Sequence, residues 1–172
     1  MGALTGKVAI VTGAGQGVGR CHAELLAAEG AAVVVNDLGE SADAVAAAIV
    51  ANGGRAVAQR GSVSDWAAAE ALVQRAISEF GDLHILVNNA GFIRDAMSFS
   101  MEEAPFDSVV SVHLKGHFAP AHFAAVYWRN QAKVLEGTEV EVRGGSIFIR
   151  GNVLALNLDL SDGWFATSDL GE

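Results

Sequence analysis

Cysteine, proline, tyrosine and positive charge are all scarce in this sequence, and each scarcity excludes something. The lone cysteine, Cys21, has no partner among the 172 residues for an intramolecular disulfide and fits a reducing compartment. Its place on a helix that should pack against a sheet predicts a buried structural thiol rather than a reactive one. Proline occurs only at positions 105 and 120, and no stretch is both Pro/Ser-rich and charged, so neither a linker nor a disordered tail is expected. Lys and Arg number 11 against 20 Asp and Glu, a formal charge of −9. That balance argues against nucleic acid and anionic membranes as partners, because phosphate-contacting surfaces need a basic surplus; a small molecule is the expected partner. Apolar runs such as 42–51 fall short of the roughly 18–20 residues of a transmembrane helix. Residues 1–7 carry no signal-peptide pattern, so a cytoplasmic location is expected.

What is present is a chain with 51% hydrophobic residues, enough for one packed domain. Residues 7–12 form a short β-branched run ending in a glycine cluster, the pattern of a buried parallel strand. Val18, Cys21, Leu25 and Leu26 recur at helical spacing, and Gly30 follows as a C-terminal stop. A second strand over 32–36, a helix over 41–52 halted by Gly53 and Gly54, and a third strand over 55–60 come next. Ser64 is the expected N-cap of a long helix reaching Phe80, and a fourth strand covers 85–88. A long helical pattern runs from about Phe106 into the 130s with Gly116 and Pro120 as bend points, and Gly144 and Gly145 introduce a fifth strand over 146–149. This alternation predicts an α/β fold, a Rossmann-like doubly wound parallel sheet of order 3-2-1-4-5 with helices on both faces. Residues 1–150 would be the nucleotide-binding domain. Residues 151–172, weakly alternating over 152–160 and then without period or caps, would be a divergent tail.

The glycine cluster Gly13, Gly15, Gln16, Gly17, Val18, Gly19 lies between the first strand and the first helix, where the backbone turns tightly and a pyrophosphate approaches helix amides. A Gly-rich string alone is weak, because loops are Gly-rich anyway. The context strengthens it: Asp37 ends the second strand 20 residues after Gly17. A carboxylate there accepts ribose hydroxyls and repels the extra phosphate of NADP, and Gln16 and Leu38 stand where a basic residue would favour NADP. The expected cofactor is NAD. The plainer reading makes Asp37 a turn residue.

Thr12, Gly13, Gly17 and Gly19 as TGxxxGxG, with Asn88-Asn89-Ala90-Gly91 after the fourth strand, make the chain resemble the short-chain dehydrogenase/reductase family. The run 33–39 and the segment 112–118 resemble the hydroxyacyl-CoA dehydrogenase part of type 2 multifunctional enzymes. The resemblance implies an oxidoreductase acting on a secondary alcohol or ketone, with Asn89, Ala90 and Gly91 against the adenosine side of the cofactor. Where the family has an adenine-binding Asp after the third strand, this chain has Ser62, a weaker neutral partner, and Val63, expected to pack on the ring.

The family's chemistry uses a Ser, a Tyr with a Lys four residues on, and an Asn in the long helix. His113 occupies the Asn position and is the one candidate catalytic residue, as a proton carrier or water holder. The only tyrosine, Tyr127, has Gln131 four residues on and does not match. Aligning the fifth strand without gaps puts Asn152, Phe165 and Asp169 at the Ser, Tyr and Lys positions; aligning 151–153 with the family's Gly-Asn puts Leu158 and Asp162 at the last two. Phe has no ionisable proton and Asp has the wrong charge. The resemblance breaks after Ile149, without the family's last strands, which reads as a truncation, a shifted frame or alternative splicing. A non-catalytic NAD-binding remnant, or a subunit dimerising with an intact relative, therefore stands beside the enzyme reading. The fifth strand would then be an exposed edge, favouring oligomers.

His113, His117 and His122 admit a metal pair, but nothing completes a ligand set, and packing or a relay is the better reading; no metal is expected. Glu102 and Glu103 are either a carboxylate pair or a helix's first turn. Tyr127 and Trp128 are either a partner surface or core, and the helix from about Phe106 is the candidate surface for homo- or hetero-oligomers.

Overall fold

The computed structural model describes residues 2–135, 146–149 and 155–157. Strand β1 (Val8–Val11) is buried throughout, with Ala9 and Val11 entering one core and Val8 and Ile10 the other. A strand buried on both faces must lie inside a sheet covered by helices on both sides. β2 (Ala32–Asp37) repeats the pattern, with Val33 and Val35 on the first face and Ala32 and Val34 on the second. β3 (Arg55–Arg60) pairs in parallel with β2, and β4 (Ile85–Asn88) with β1. β5 (Ser146–Ile149) lies parallel to β4, so the expected order 3-2-1-4-5 is present.

The expectation that β5 forms an open edge is corrected. A sixth strand, β6 (Ala155–Asn157), pairs antiparallel with it, Ser146 opposite Asn157 and Phe148 opposite Ala155. It gives the outer backbone groups of β5 partners, and a three-residue strand is too short to show a period in sequence.

Helices α1 (Gly17–Ala28) and α2 (Ser41–Ala51) cover the first face. The face α1 buries is not the predicted one. Gly19, Ala23 and Ala27 pack inward, while Val18 and Leu25 are exposed and only Leu26 of the predicted set packs against the core. Size selects the face here: the helix lies close over the sheet, and only small residues fit the gap. Cys21 shares the outer rows, so it is exposed rather than buried.

On the second face lie α3 (Trp66–Phe80) and α5 (Gly116–Leu135). Asp65, not Ser64, caps α3, its carboxylate accepting from the Ala68 amide at 2.7 Å. The Ser64 hydroxyl instead lies 2.9 Å from that of Ser62. Both residue types suit an N-cap, so the sequence does not choose between neighbours.

The long helix starts at Glu103, three residues before Phe106. α4 (Glu103–Val110) passes through one π-helical turn (Ser111–Lys115) directly into α5. The widened turn ends where Gly116 was expected to bend the chain, and Pro120 removes the amide that would pair with the Gly116 carbonyl. Glu102 and Glu103 are the cap position and first turn of this helix. Further on, Trp128 is buried and donates from Nε1 to the Leu83 carbonyl at 2.5 Å, and the Tyr127 hydroxyl donates to Asp82 at 2.9 Å. Both are core residues. Among the described residues no helix is long and apolar enough to cross a membrane.

Candidate functional site

Strands β3, β2 and β1 progress to one side and β4 to the other, so the loops after β1 and β4 part and open a crevice at the carboxyl ends of the strands. Thr12, fully buried, ties these loops together. Its hydroxyl accepts the amides of Asn89 and Ala90, each at 3.0 Å, and donates to the Val87 carbonyl at 3.3 Å. The Asn89 side chain returns the link by donating to the carbonyls of Thr12 at 2.9 Å and Gly13 at 3.1 Å. The two motifs singled out in sequence are thus one hydrogen-bonded unit.

The turn itself needs its glycines. Gly13 has φ 60°, and a Cβ there would come within 2.7 Å of the Ala90 backbone; a Cβ on Gly19 would collide with the Gly13 carbonyl and the Asn89 amide. Helix α1 begins at Gly17 with no side-chain cap and no acid in its first turn, which leaves its first amides for an external acceptor. At the end of β2 the Asp37 carboxylate accepts from the Gly15 amide at 2.8 Å and from the Leu38 amide at 2.7 Å, so it is held beside the turn.

A cavity of about 580 Å³ fills the crevice. Of the expected cofactor residues, Gly13, Gln16, Val18, Gly19, Asp37, Ser62, Val63, Asn89, Ala90 and Gly91 line it. Gly15 and Gly17 belong to the turn behind it. Val63 is 6% exposed and forms wall rather than rim. Leu38, noted in sequence beside Asp37, lines the cavity as well, and so do Asn36, Gly61, Phe92, Ile93 and Val112, which were not singled out in sequence. For Asn36 a signal was available: it is a polar residue at the end of an otherwise apolar strand, and its amide donates to the carbonyls of Gln59 and Gly61, joining β2 to the loop after β3. Nothing in the sequence marks Phe92, Ile93 or Val112, whose place depends on how the loop after β4 meets the long helix.

His113 sits in the π turn and lines the same cavity. Its Nε2 is 2.8 Å from the Phe92 carbonyl and 3.1 Å from the Phe92 amide, so either tautomer finds a partner there. A Cβ on Gly91 would lie 2.5 Å from the imidazole Cε1. One turn on, His117 is buried, with Nε2 2.8 Å from the Ala90 carbonyl. Burial pushes its pKa down, partly offset by that bond, and neighbouring His113 pushes it down further. The two histidines therefore fasten 90–92 to the long helix, and no metal-ligand cluster is found among the described residues. His122 instead meets three rings, stacked with Phe118, tilted against Trp66 and edge-on to Phe123.

Tyr127 stands apart from this crevice. Its partner Asp82 precedes β4, at the amino ends of the strands, opposite the cavity. Burial and then Asp82 raise the phenol pKa to about 12, the reverse of what a general acid/base requires. Asn152, Leu158, Asp162, Phe165 and Asp169 lie outside the described residues.

A parallel sheet of this order, with a glycine turn opening on an uncapped helix at the switch point and a carboxylate ending β2, defines a Rossmann-like nucleotide-binding unit, and these residues fit a dinucleotide. Within that class the chain belongs to the short chain dehydrogenase family, whose profile matches residues 7–135. It is 45% identical over 153 residues to the hydroxyacyl-CoA dehydrogenase ChsB1 of Mycobacterium tuberculosis, a match covering 86% of this chain and 46% of that protein. It is 44% identical over 136 residues to peroxisomal multifunctional enzyme type 2 of Drosophila melanogaster, covering 73% of this chain and 22% of the other. A crystal structure of a short chain dehydrogenase from Mycobacterium avium is 48% identical with a TM-score of 0.78, covering 85% of this chain and 54% of that one. The chain thus spans about half the length of the first of these relatives. Members of this oxidoreductase family and fold generally bind NAD or NADP.

Proposed function

We propose that the crevice at the carboxyl ends of β1, β2 and β4 binds NAD in preference to NADP. Asp37 carries the reading. It ends β2 beside the glycine turn, within reach of a ribose, and as an anion it disfavours a 2′-phosphate. Gly13, Gly17 and Gly19, with the first amides of α1, would hold the pyrophosphate; Ser62 and Val63 would meet the adenine; and Asn89, Ala90 and Gly91 would close the adenosine side. When bound, the cofactor supplies the hydride acceptor or donor.

Family membership and the named relatives favour oxidation of a secondary alcohol to a ketone, on a small-molecule substrate of the 3-hydroxyacyl class. A second reading, binding without turnover, is favoured by the position of Tyr127. The one phenol among these residues is bonded to Asp82 at the far end of the sheet, and His113 is engaged with Phe92, as a positioning residue rather than a proton donor. On these residues the second reading is the better supported. The row Phe106, Val110, Leu114 and Phe118, at four-residue spacing and 56%, 38%, 68% and 60% exposed, further suits pairing with a second copy or an intact relative.

Fluorescence titration with NADH and NADPH tests the first claim. NADH should bind at least about tenfold more tightly, a difference of about 1.4 kcal/mol. Absorbance at the nicotinamide band with NAD and a 3-hydroxyacyl thioester separates the two readings. Binding without absorbance change supports the second; steady turnover supports the first; absence of NADH binding sinks both.

A further inference from the structure

Beside Asp37 on the sheet stands a second charged residue, Arg60, which the sequence reading passed over. Asp37 and Arg60 are Cα partners in the parallel ladder of β2 and β3. Residues so paired point to the same face of a sheet, with Cβ atoms about 5 Å apart. That face is the one covered by α1 and α2, because Val33 and Val35 precede Asp37 on it and Ala56 and Ala58 precede Arg60. A guanidinium therefore leaves the sheet one strand spacing from the carboxylate that would meet the ribose.

Arg60 is already paired. Its Nε lies 2.6 Å from Asp43 Oδ2 and one terminal nitrogen 3.6 Å from Glu40 Oε1, both acids at the start of α2. The Asp43 bond holds the Arg60 pKa above, and the Asp43 pKa below, their ordinary values. All three side chains are about half exposed or more, 48% for Arg60, 50% for Asp43 and 88% for Glu40. Pairs so exposed are individually weak, so strength alone does not keep Arg60 where it is. Charge count does: Glu40 and Asp43, which hold the guanidinium, and Asp37, its ladder neighbour, outnumber the one cation, so the neighbourhood is net negative. A 2′-phosphate on a ribose at Asp37 would enter a neighbourhood with three carboxylates and one arginine.

We propose that Arg60 is a latent ligand for a ribose 2′-phosphate, kept from that role by Asp43 and Glu40, so that α2 as well as Asp37 sets the selectivity for NAD over NADP. The inference rests on the reading of the crevice as an NAD site. Arginine is suited to the latent role because its planar donors match phosphate oxygens and its charge is permanent.

The test is a series of NADH and NADPH fluorescence titrations on the full chain at low and high salt. Asp37→Ser should lose about tenfold in NADH affinity and narrow the gap to NADPH. Adding Asp43→Asn and Glu40→Gln should tighten NADPH by about tenfold more, the worth of one charge-assisted contact, with most of the gain lost at high salt. Adding Arg60→Ala to that triple variant should abolish the gain. A gain that survives Arg60→Ala, or a triple variant no better than Asp37→Ser, overturns the inference while leaving NAD binding in place. Failure of the unsubstituted chain to bind NADH removes the functional reading first, and the inference with it. Glu40, Asp43 and Arg60 are exposed and Asp37 is partly buried, and far-UV circular dichroism of each variant checks that the fold is kept.

Discussion

A single hydroxyl, that of Thr12, organises the mouth of the crevice, because it accepts two amides of the loop after β4, those of Asn89 and Ala90. Thr12→Val keeps the shape and removes the oxygen, leaving the Ala90 amide without its acceptor at a cost of about 1–3 kcal/mol, while the Asn89 amide keeps the Val87 carbonyl at 3.1 Å. The expected outcome is a clear fall in the urea midpoint together with weaker NADH binding. Tyr127→Phe should behave differently. It deletes one bond to Asp82, so stability should fall by about 1 kcal/mol while NADH affinity stays unchanged; a loss of NADH affinity would contradict the placement of Tyr127 away from the crevice. At this scale the sequence was most informative where the backbone leaves no choice. Gly13 and Gly19 cannot carry a Cβ, and Asp37 sits at a fixed distance from them along the chain. It was silent on Arg60 and Phe92, whose significance comes from partners 23 and 21 positions away, Asp37 across the ladder and His113 on the long helix.

Between elements, hydrogen bonds outside the ladders decide how strand and helix ends are held. His84, just before β4, accepts the Val8 amide on Nδ1 at 3.0 Å and lies 3.3 Å from Asp82 through Nε2. Burial pushes its pKa below the usual 6.5, Lys7 adds to that, and Asp82 acts against it. His117, between α5 and the loop after β4, is shifted the same way. Groups with depressed folded pKa bind protons more readily when unfolded, so their stabilisation is present above pH 6.5 and is lost as pH falls below it. The melting temperature should therefore drop between pH 7 and pH 5, and His84→Asn, whose carbonyl can still accept the Val8 amide, should show a shallower drop. Strand and helix ranges were legible to within a residue or a few, because periodicity survives local detail. The inward face of α1 was not: hydropathy pointed to Val18 and Leu25, while the close approach of helix to sheet selected Gly19, Ala23 and Ala27. Neither was the choice of Asp65 over Ser64, which rests on a single bond.

Over the whole molecule, the regular alternation of strands and helices already implied the order 3-2-1-4-5, since parallel neighbours joined by right-handed crossovers leave few alternatives. β6 escaped because a short returning strand has no length in which to show a pattern. The exposed apolar row on the long helix is the feature most visible to another molecule. Replacing Leu114 and Phe118 with Lys should leave NADH binding intact and shift the chain to a smaller species in sedimentation at micromolar concentration; an unchanged sedimentation coefficient would assign that row no part in assembly. The π turn at Ser111–Lys115 lies within this surface. Such a turn houses about one residue more than an α turn, so it is the place where the long helix can change length by one without rotating its two halves. A shortened version would keep Trp128 and Phe106 where they are and remove only the bulge that presents His113. Insertion and deletion at this point would thus edit the crevice while sparing the core, a route for altering the site that point substitution does not offer.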